Sequence, residues 1–338
     1  MIDRIFTLAR RFTKPMPRVG VTPATVVHAE NKWRLLHYDR RPQGLAHKTP
    51  VVLVPSLINR HYVLDLMPEK SFVEWLVAQG HDVYCIDWGT PTDEDRFVTF
   101  EDIADRYIGR AIRAACKRSG AQKAHVLGYC LGGTLALIHA AIRPQHVASL
   151  TLLATPVGFH DDGMLSRWTR TRSFDTGALI EAMGNVPWQL MQSTFQMLRP
   201  TMTAAKTVSM LDRAWDDEFL DGFLALETWG QDNVSFPGAS YRTYIDELYR
   251  GDALVNDRFK LGANAVHLSE VRCPTLVVTF ENDAIVPWPS AAVVMEKIAS
   301  RDKHRLHLPG GHVGAVVSKK AAKGLWPAMA KFWADREA

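Results

Sequence analysis

The stretch AHVLGYCLGGTLALIHAA, residues 124–141, decides the fold. Its first part, AHVLGYC (124–130), is a continuous apolar run of strand length. The rest, LGGTLALIHAA (131–141), is an apolar run of helix length that begins with no linker between them. The same strand–helix step recurs on both sides. Upstream, TPVVLVPSL (49–57) and DVYCIDWG (82–89) read as buried strands. The helix predicted between them covers residues 68–80 and carries Phe72, Trp75, Leu76 and Val77. A second helix spans Phe100–Ser119, with Ile103, Tyr107, Ile108, Ile112 and Ala115 on one stripe and Gly120 as its stop. Residues 25–40 alternate around a polar AEN break and predict an antiparallel hairpin.

Downstream, VASLTLLATPV (147–157) and CPTLVVTF (273–280) predict further buried strands. A helix at about 289–300, a half-exposed strand HRLHLPG (304–310) and a terminal helix ending in LWPAMAKFWADR follow. Strands alternating with helices of these lengths imply an α/β domain, mostly parallel, with helices on both faces of the sheet. Between residues 158 and 259 the alternation stops, and a Met- and Trp-rich helical pattern replaces it. The expected organisation is therefore a basic segment at 1–20, a catalytic core at 21–157 and 260–338, and an inserted helical cap at 158–259.

Composition narrows the class. Of 338 residues, 47% are hydrophobic and 22% charged, a balance that excludes a disordered chain. No window reaches the roughly 18 consecutive apolar residues of a membrane span. The net charge of +4 is confined to the first twenty residues, where Arg4, Arg10, Arg11, Lys14 and Arg18 oppose only Asp3. Ile5, Phe6, Leu8 and Phe12 fall among those charges at near-helical spacing, a pattern for a short basic amphipathic segment. Cys85, Cys116, Cys130 and Cys273 show no disulfide or metal spacing, so reduced thiols and a cytoplasmic protein are expected. No metal site, nucleotide loop or continuous basic face for nucleic acid is present, and His304, His307 and His312 lack a metal-binding helix motif.

Gly128-Tyr129-Cys130-Leu131-Gly132 places a cysteine at the centre of a strand-to-helix elbow of the G-x-S-x-G type, which points to an α/β-hydrolase fold. Such a sharp turn tolerates no bulky side chain two residues before or after the nucleophile, hence Gly128 and Gly132. The elbow sets the Cys130 sulfur at a helix N-terminus, whose dipole favours a thiolate. The Leu131 N–H can face a developing oxyanion. A base and an orienting acid are expected after later strands, in the order nucleophile, acid, histidine. Asp283 in ENDAIVP and His312 in GGHVG occupy those places, with Glu281 and Asp87 as competing carboxylates. A second oxyanion N–H is expected from the loop after VVLVP, at Ser56, Leu57 or Ile58, with Leu57 preferred. The other three cysteines read as structural.

The strings VPSLINRHYVLDL (54–66), VYCIDWGTPTDEDR (83–96), GYCLGG (128–133), FPGASYRTYIDELY (236–249), DAIVPW (283–288) and GGHVGAVVSKKAAK (310–323) resemble the polyhydroxyalkanoate synthases. The likeness is greatest to the short catalytic subunit of the two-component synthases and runs from about residue 20 to the C-terminus. The resemblance implies polymerisation of (R)-3-hydroxyacyl-CoA, with 3-hydroxybutyryl-CoA the expected monomer, into polyester with release of CoA and no cofactor. By position, Cys130 would hold the growing polyester chain as a thioester, His312 would activate the thiol, and Asp283 would promote attack by the 3-hydroxyl group. It further implies a homodimer, room for a second non-catalytic synthase subunit, and a place on granule surfaces. Two positions depart from the family pattern: Ala284 stands where a histidine usually follows the acid, and Leu131 where glutamine is common. Two other readings compete. One is a cysteine-dependent thioesterase or esterase of the dienelactone-hydrolase kind, and the other is a non-catalytic granule scaffold.

Overall fold

The computed structural model describes residues 14–171, 173–198, 202–314 and 316–337. Most of the expected basic segment, up to Thr13, lies outside them. Eight strands form one sheet: β1 (Ala24–Glu30), β2 (Trp33–Tyr38), β3 (Val51–Val54), β4 (Val83–Asp87), β5 (Ala124–Tyr129), β6 (Val147–Leu153), β7 (Thr275–Phe280) and β8 (Lys303–Leu308). Their spatial order is β1-β2-β4-β3-β5-β6-β7-β8, parallel from β4 onward, with β1 and β2 antiparallel at one edge.

The two faces of the sheet explain why the central strands read as unbroken apolar runs. Val52 and Val54 of β3 pack on one side with α2 (Ile108–Ser119) and α3 (Leu131–Ile142). Val51 and Leu53 pack on the other with Phe72 of α1 (Phe72–Gln79). Trp326 and Trp333 of the C-terminal helix Leu325–Ala334 lie on that second face too. A strand covered on both sides has no polar face to show, so its side chains lose the period-2 signal. Helix α3 is buried all round for the same reason. Each large side chain so buried contributes about 1.5–3 kcal/mol.

Local chemistry sets the element ends. Ser71 caps α1 by accepting the Glu74 N–H at 2.9 Å, so the helix begins four residues after the start expected from periodicity. Gly80 (φ 90°) ends it in the left-handed conformation. The predicted helix over Phe100–Ser119 is present, but Asp102–Tyr107 is wound as a π-helix before α2. The strand expected over 147–157 stops at Leu153, because Ala154 turns to φ 48°. The helix expected at about 289–300 is two short ones, Trp288–Ala292 and Val294–Lys297.

Between β6 and β7 lie α4 (Met164–Thr169), α5 (Thr176–Met183), α6 (Trp188–Met197), α7 (Met202–Asp212), α8 (Asp217–Gln231) and α9 (Gly238–Thr243). α9 runs on into a π-helical turn, Tyr244–Arg250. Phe236, Tyr241, Tyr244 and Leu248 join the apolar cluster of the sheet, so this end of the insertion is packed into the core. α8 packs on the opposite cluster through Ala225 and Trp229.

At the end of the sheet where β5 begins, the His81 ring is stacked on His47 at 4.0 Å and lies 5.8 Å from Trp333, edge-on. Neither nitrogen of His81 has a hydrogen-bond partner. Burial, with His47 and His125 adding to it, pushes His81 down to about 3. Burial, with His47 and Arg336 adding, pushes His125 down to about 4. Both rings are neutral in the fold but protonate in the unfolded chain below about 6.5. The unfolded state then binds more protons, so their stabilisation is complete above that value and is lost as pH falls toward 4. We predict that the unfolding free energy drops between pH 7 and pH 5 by up to about 2 kcal/mol per ring. Urea midpoints at the two pH values measure it. His81→Phe should fold and show a shallower drop; an unchanged drop in that variant would remove His81 as a cause.

Candidate active site

Three loops at the carboxyl ends of parallel strands build the site. The first is the elbow between β5 and α3. Cys130 sits there at φ 54°, ψ −129°, a backbone conformation that costs a non-glycine residue about 1–3 kcal/mol. Its N–H donates to the Leu153 carbonyl at 2.9 Å, and its own carbonyl accepts from the Gly133 N–H at 2.8 Å. Close backbone approach holds it. A Cβ on Gly132 would collide with the carbonyl oxygens of Val54 and Pro55, and one on Gly128 with the backbone of Gly133. Gly133 in turn lies against Thr155.

The second loop follows β7. Asp283 is buried, and its Oδ1 accepts N–H groups from Ile285 and Val286, each at 2.9 Å. The third follows β8, where Gly310 (φ 117°) lets the chain turn back toward the site. Its backbone is tied to the acid loop, since Asn282 N–H donates to the Gly310 carbonyl and Glu281 N–H to that of Leu308. His312 Nδ1 donates to Asp283 Oδ2 at 2.7 Å. The Tyr129 hydroxyl donates to the His312 carbonyl at 3.3 Å, with the two rings 5.4 Å apart.

The structure thus brings Cys130, His312 and Asp283 together, each more than nine-tenths buried. Burial works against charge on His312, but the facing Cys130 sulfur and the Asp283 carboxylate outweigh it and push the ring up to about 10. Of the competing carboxylates, Glu281 is exposed. Asp87 is bonded to Arg34 at 2.5 Å and to the Gly89 N–H at 3.0 Å. Leu131 opens α3, where its N–H has no intrahelical carbonyl to reach. Leu57 is buried in the loop after β3 and its N–H makes no backbone hydrogen bond among the described residues. Neighbouring Ser56 is buried with its hydroxyl unpartnered. Ala284 is half-buried beside the acid.

The remaining cysteines are free thiols. Burial raises Cys85 far above the ordinary thiol range and pushes Cys116 and Cys273 up to about 11. The histidines around 304–312 do not converge: His304 meets Asp302, His307 meets Thr279, and His312 meets Asp283.

Helix α8 contributes Ala225 and Trp229 to the apolar cluster that also holds Cys130, Tyr129 and Val316. Tyr244 and Tyr249, buried with rings 5.1 Å apart, come close enough for the Cys130 charge to add to the burial that keeps both phenols protonated. Sequence reasoning did not single out these two tyrosines. The FPGASYRTYIDELY string was the available signal, but it did not say which of its aromatic residues face the sulfur.

Comparison with known proteins agrees with this geometry. Residues 49–317 match the family described as alpha/beta hydrolase fold, and residues 16–76 match "Poly-beta-hydroxybutyrate polymerase (PhaC) N-terminus". A relative from Allochromatium vinosum, "Poly(3-hydroxyalkanoate) polymerase subunit PhaC", is 35% identical over 94% of this chain and 90% of its own length. The chain belongs to the poly(3-hydroxyalkanoate) polymerase family. A second relative of that name, from Haloferax mediterranei, is 33% identical over 94% of this chain, which spans 65% of the relative's length. Among solved structures, a monoacylglycerol lipase from Paleococcus ferrophilus superposes with a TM-score of 0.55 at 17% identity, covering 87% of this chain and 96% of the lipase. That likeness extends to the fold only. No helix among the described residues of this polymerase-family chain is long and apolar enough to cross a membrane.

The strain at Cys130 has a measurable consequence. Glycine adopts φ 54°, ψ −129° without a Cβ penalty, although its freer unfolded state offsets part of the gain. Cys130→Gly should therefore be more stable than Cys130→Ala by about 1 kcal/mol in urea unfolding. An alanine variant as stable as the glycine one would show that the elbow is not strained.

Proposed function

We propose that this chain polymerises (R)-3-hydroxyacyl-CoA through a thioester on Cys130. The observation that carries the reading is a buried cysteine held at the strained elbow position in an apolar cluster, facing a His312–Asp283 pair. Cysteine suits thioester exchange, because CoA thioester and enzyme thioester are close in energy and the thiolate is strongly nucleophilic.

In the acylation step His312 holds the proton taken from the thiol, and the Cys130 sulfur attacks the acyl carbonyl. The carbonyl oxygen becomes an oxyanion held by the N–H groups of Leu131 and Leu57. Collapse of this adduct breaks the carbon–sulfur bond to CoA, and the CoA sulfur leaves with the His312 proton. In the elongation step the 3-hydroxyl of a second acyl group attacks the thioester carbon. Both oxygens of Asp283 are occupied, Oδ1 by two N–H groups and Oδ2 by His312. Asp283 therefore promotes this attack through His312, whose free nitrogen takes the hydroxyl proton and returns it to the departing Cys130 sulfur. The enclosure keeps water from competing with the hydroxyl, which separates polymerisation from hydrolysis. The chemistry needs no cofactor beyond the acyl-CoA substrate.

The test is incubation of the purified chain with (R)-3-hydroxybutyryl-CoA, with and without a candidate second subunit. CoA release accompanied by insoluble polyester is expected, and Cys130→Ala should lose both. Stoichiometric free hydroxy acid without polymer would make the chain a thioesterase, and full activity in Cys130→Ala would remove the mechanism.

A further inference from the structure

Helix α8 is fastened to the core at both ends, and the two fastenings differ. At its start, Asp217 pairs with Lys14 and Glu218 with Lys319, each at 2.7 Å and all about half exposed or more. Such surface pairs hold little. At its end the contacts form a cluster. Trp229 Nε1 donates to the Arg60 carbonyl at 2.9 Å. The Asp232 carboxylate accepts Arg60 Nε at 2.9 Å on one oxygen and the Tyr62 hydroxyl at 2.8 Å on the other. Asn59 Nδ2 donates to Asn233 Oδ1 at 2.7 Å, and the backbones of those two residues form a short antiparallel bridge.

Every core partner in that cluster lies in residues 59–62, immediately after Leu57. On its other side the same segment is pinned where Trp88 Nε1 donates to the Pro55 carbonyl at 3.0 Å. The Leu57 N–H therefore lies in a buried stretch whose far end, residues 59–62, shares its hydrogen bonds between α8 and the core. We propose that α8 forms the roof of the site and that Asp232 is a positioning residue coupling its closure to assembly of the oxyanion hole. The proposal rests on the reading of Leu57 as an oxyanion donor.

The buried triad requires that α8 yield before an acyl-CoA can reach Cys130. Release of its C-terminal end leaves residues 59–62 with only their core contacts, Arg60 Nη1 on the Gly89 carbonyl at 3.3 Å and His61 against Asp87 at 3.3 Å, and so loosens the Leu57 N–H without freeing it. Closure over the acyl group restores the anchor and the donor together. Chemistry then waits for the closed roof, and water admitted while it is open meets an incomplete site. Loss of a well-placed oxyanion donor costs about 10²–10³ in rate, so a donor loosened but not deleted should cost about tenfold.

The test uses the full chain, with its second subunit if turnover needs one. It reads steady-state CoA release and the rate at which iodoacetamide alkylates Cys130, located by peptide mass. Asp232→Ala should speed alkylation several-fold and lower kcat about tenfold with KM changed much less. Tyr62→Phe should move both in the same directions by less, and it keeps the test open if Asp232→Ala folds poorly. Asp232→Glu should recover part of kcat. Faster alkylation with undiminished kcat would overturn the coupling and take Leu57 out of the oxyanion hole. Unchanged alkylation would overturn the latch. A wild-type chain that releases no CoA would instead refute the proposed function, which separates that failure from this one.

Discussion

The constraint on which the rest of the structure depends is the approach of the α3 N-terminus to the ends of β3 and β5. Cys130 keeps its left-handed backbone only because the chain around it lies backbone against backbone. Gly132 touches the carbonyls of Val54 and Pro55, and Gly128 touches Gly133. The same contact sets the loop after β3 beside the elbow, so the Leu57 and Leu131 N–H groups come from adjoining turns. Two parallel strands farther along the sheet, β7 and β8, deliver Asp283 and His312 to the same edge. A side chain at Gly132 would separate these parts before it touched the sulfur.

Burial governs the chemistry that this frame can support. His312 is enclosed, yet the facing sulfur and carboxylate keep it cationic well above the ordinary imidazole range. A charge pair in an apolar enclosure is costly unless each member is compensated. Asp283 is compensated by two backbone N–H groups and His312, and His312 by Asp283 and the sulfur. A triad so enclosed must be uncovered before a substrate reaches it, so access and catalysis cannot be independent. At residues 59–62 the loop after β3 and the end of α8 share hydrogen bonds.

Much of this was legible in the residues because burial and turn chemistry leave patterns. Strands covered on both faces read as apolar runs, and the elbow read as glycines around a cysteine between strand and helix. The order of Cys130, Asp283 and His312 followed from parallel strands ending at one edge. What was not legible had no local pattern to leave. The proposed oxyanion donors are backbone atoms, which any residue supplies. Asp232 and Arg60 are ordinary charged residues separated by 172 positions, with meaning only once the chain has folded. The early end of β6 depends on a left-handed Ala154, a residue type that rarely takes that conformation. The split of the predicted helix into Trp288–Ala292 and Val294–Lys297 reflects turn geometry rather than periodicity.

The central claim is a covalent acyl intermediate on one sulfur among four. Rapid acid quench of the chain with (R)-3-hydroxybutyryl-CoA, followed by peptide mass mapping, tests it most directly. The peptide containing Cys130 should gain the mass of one or more hydroxyacyl units, while those containing Cys85, Cys116 and Cys273 stay unmodified. Polyester formed with no acyl group on Cys130, or with the acyl group on another residue, would contradict it.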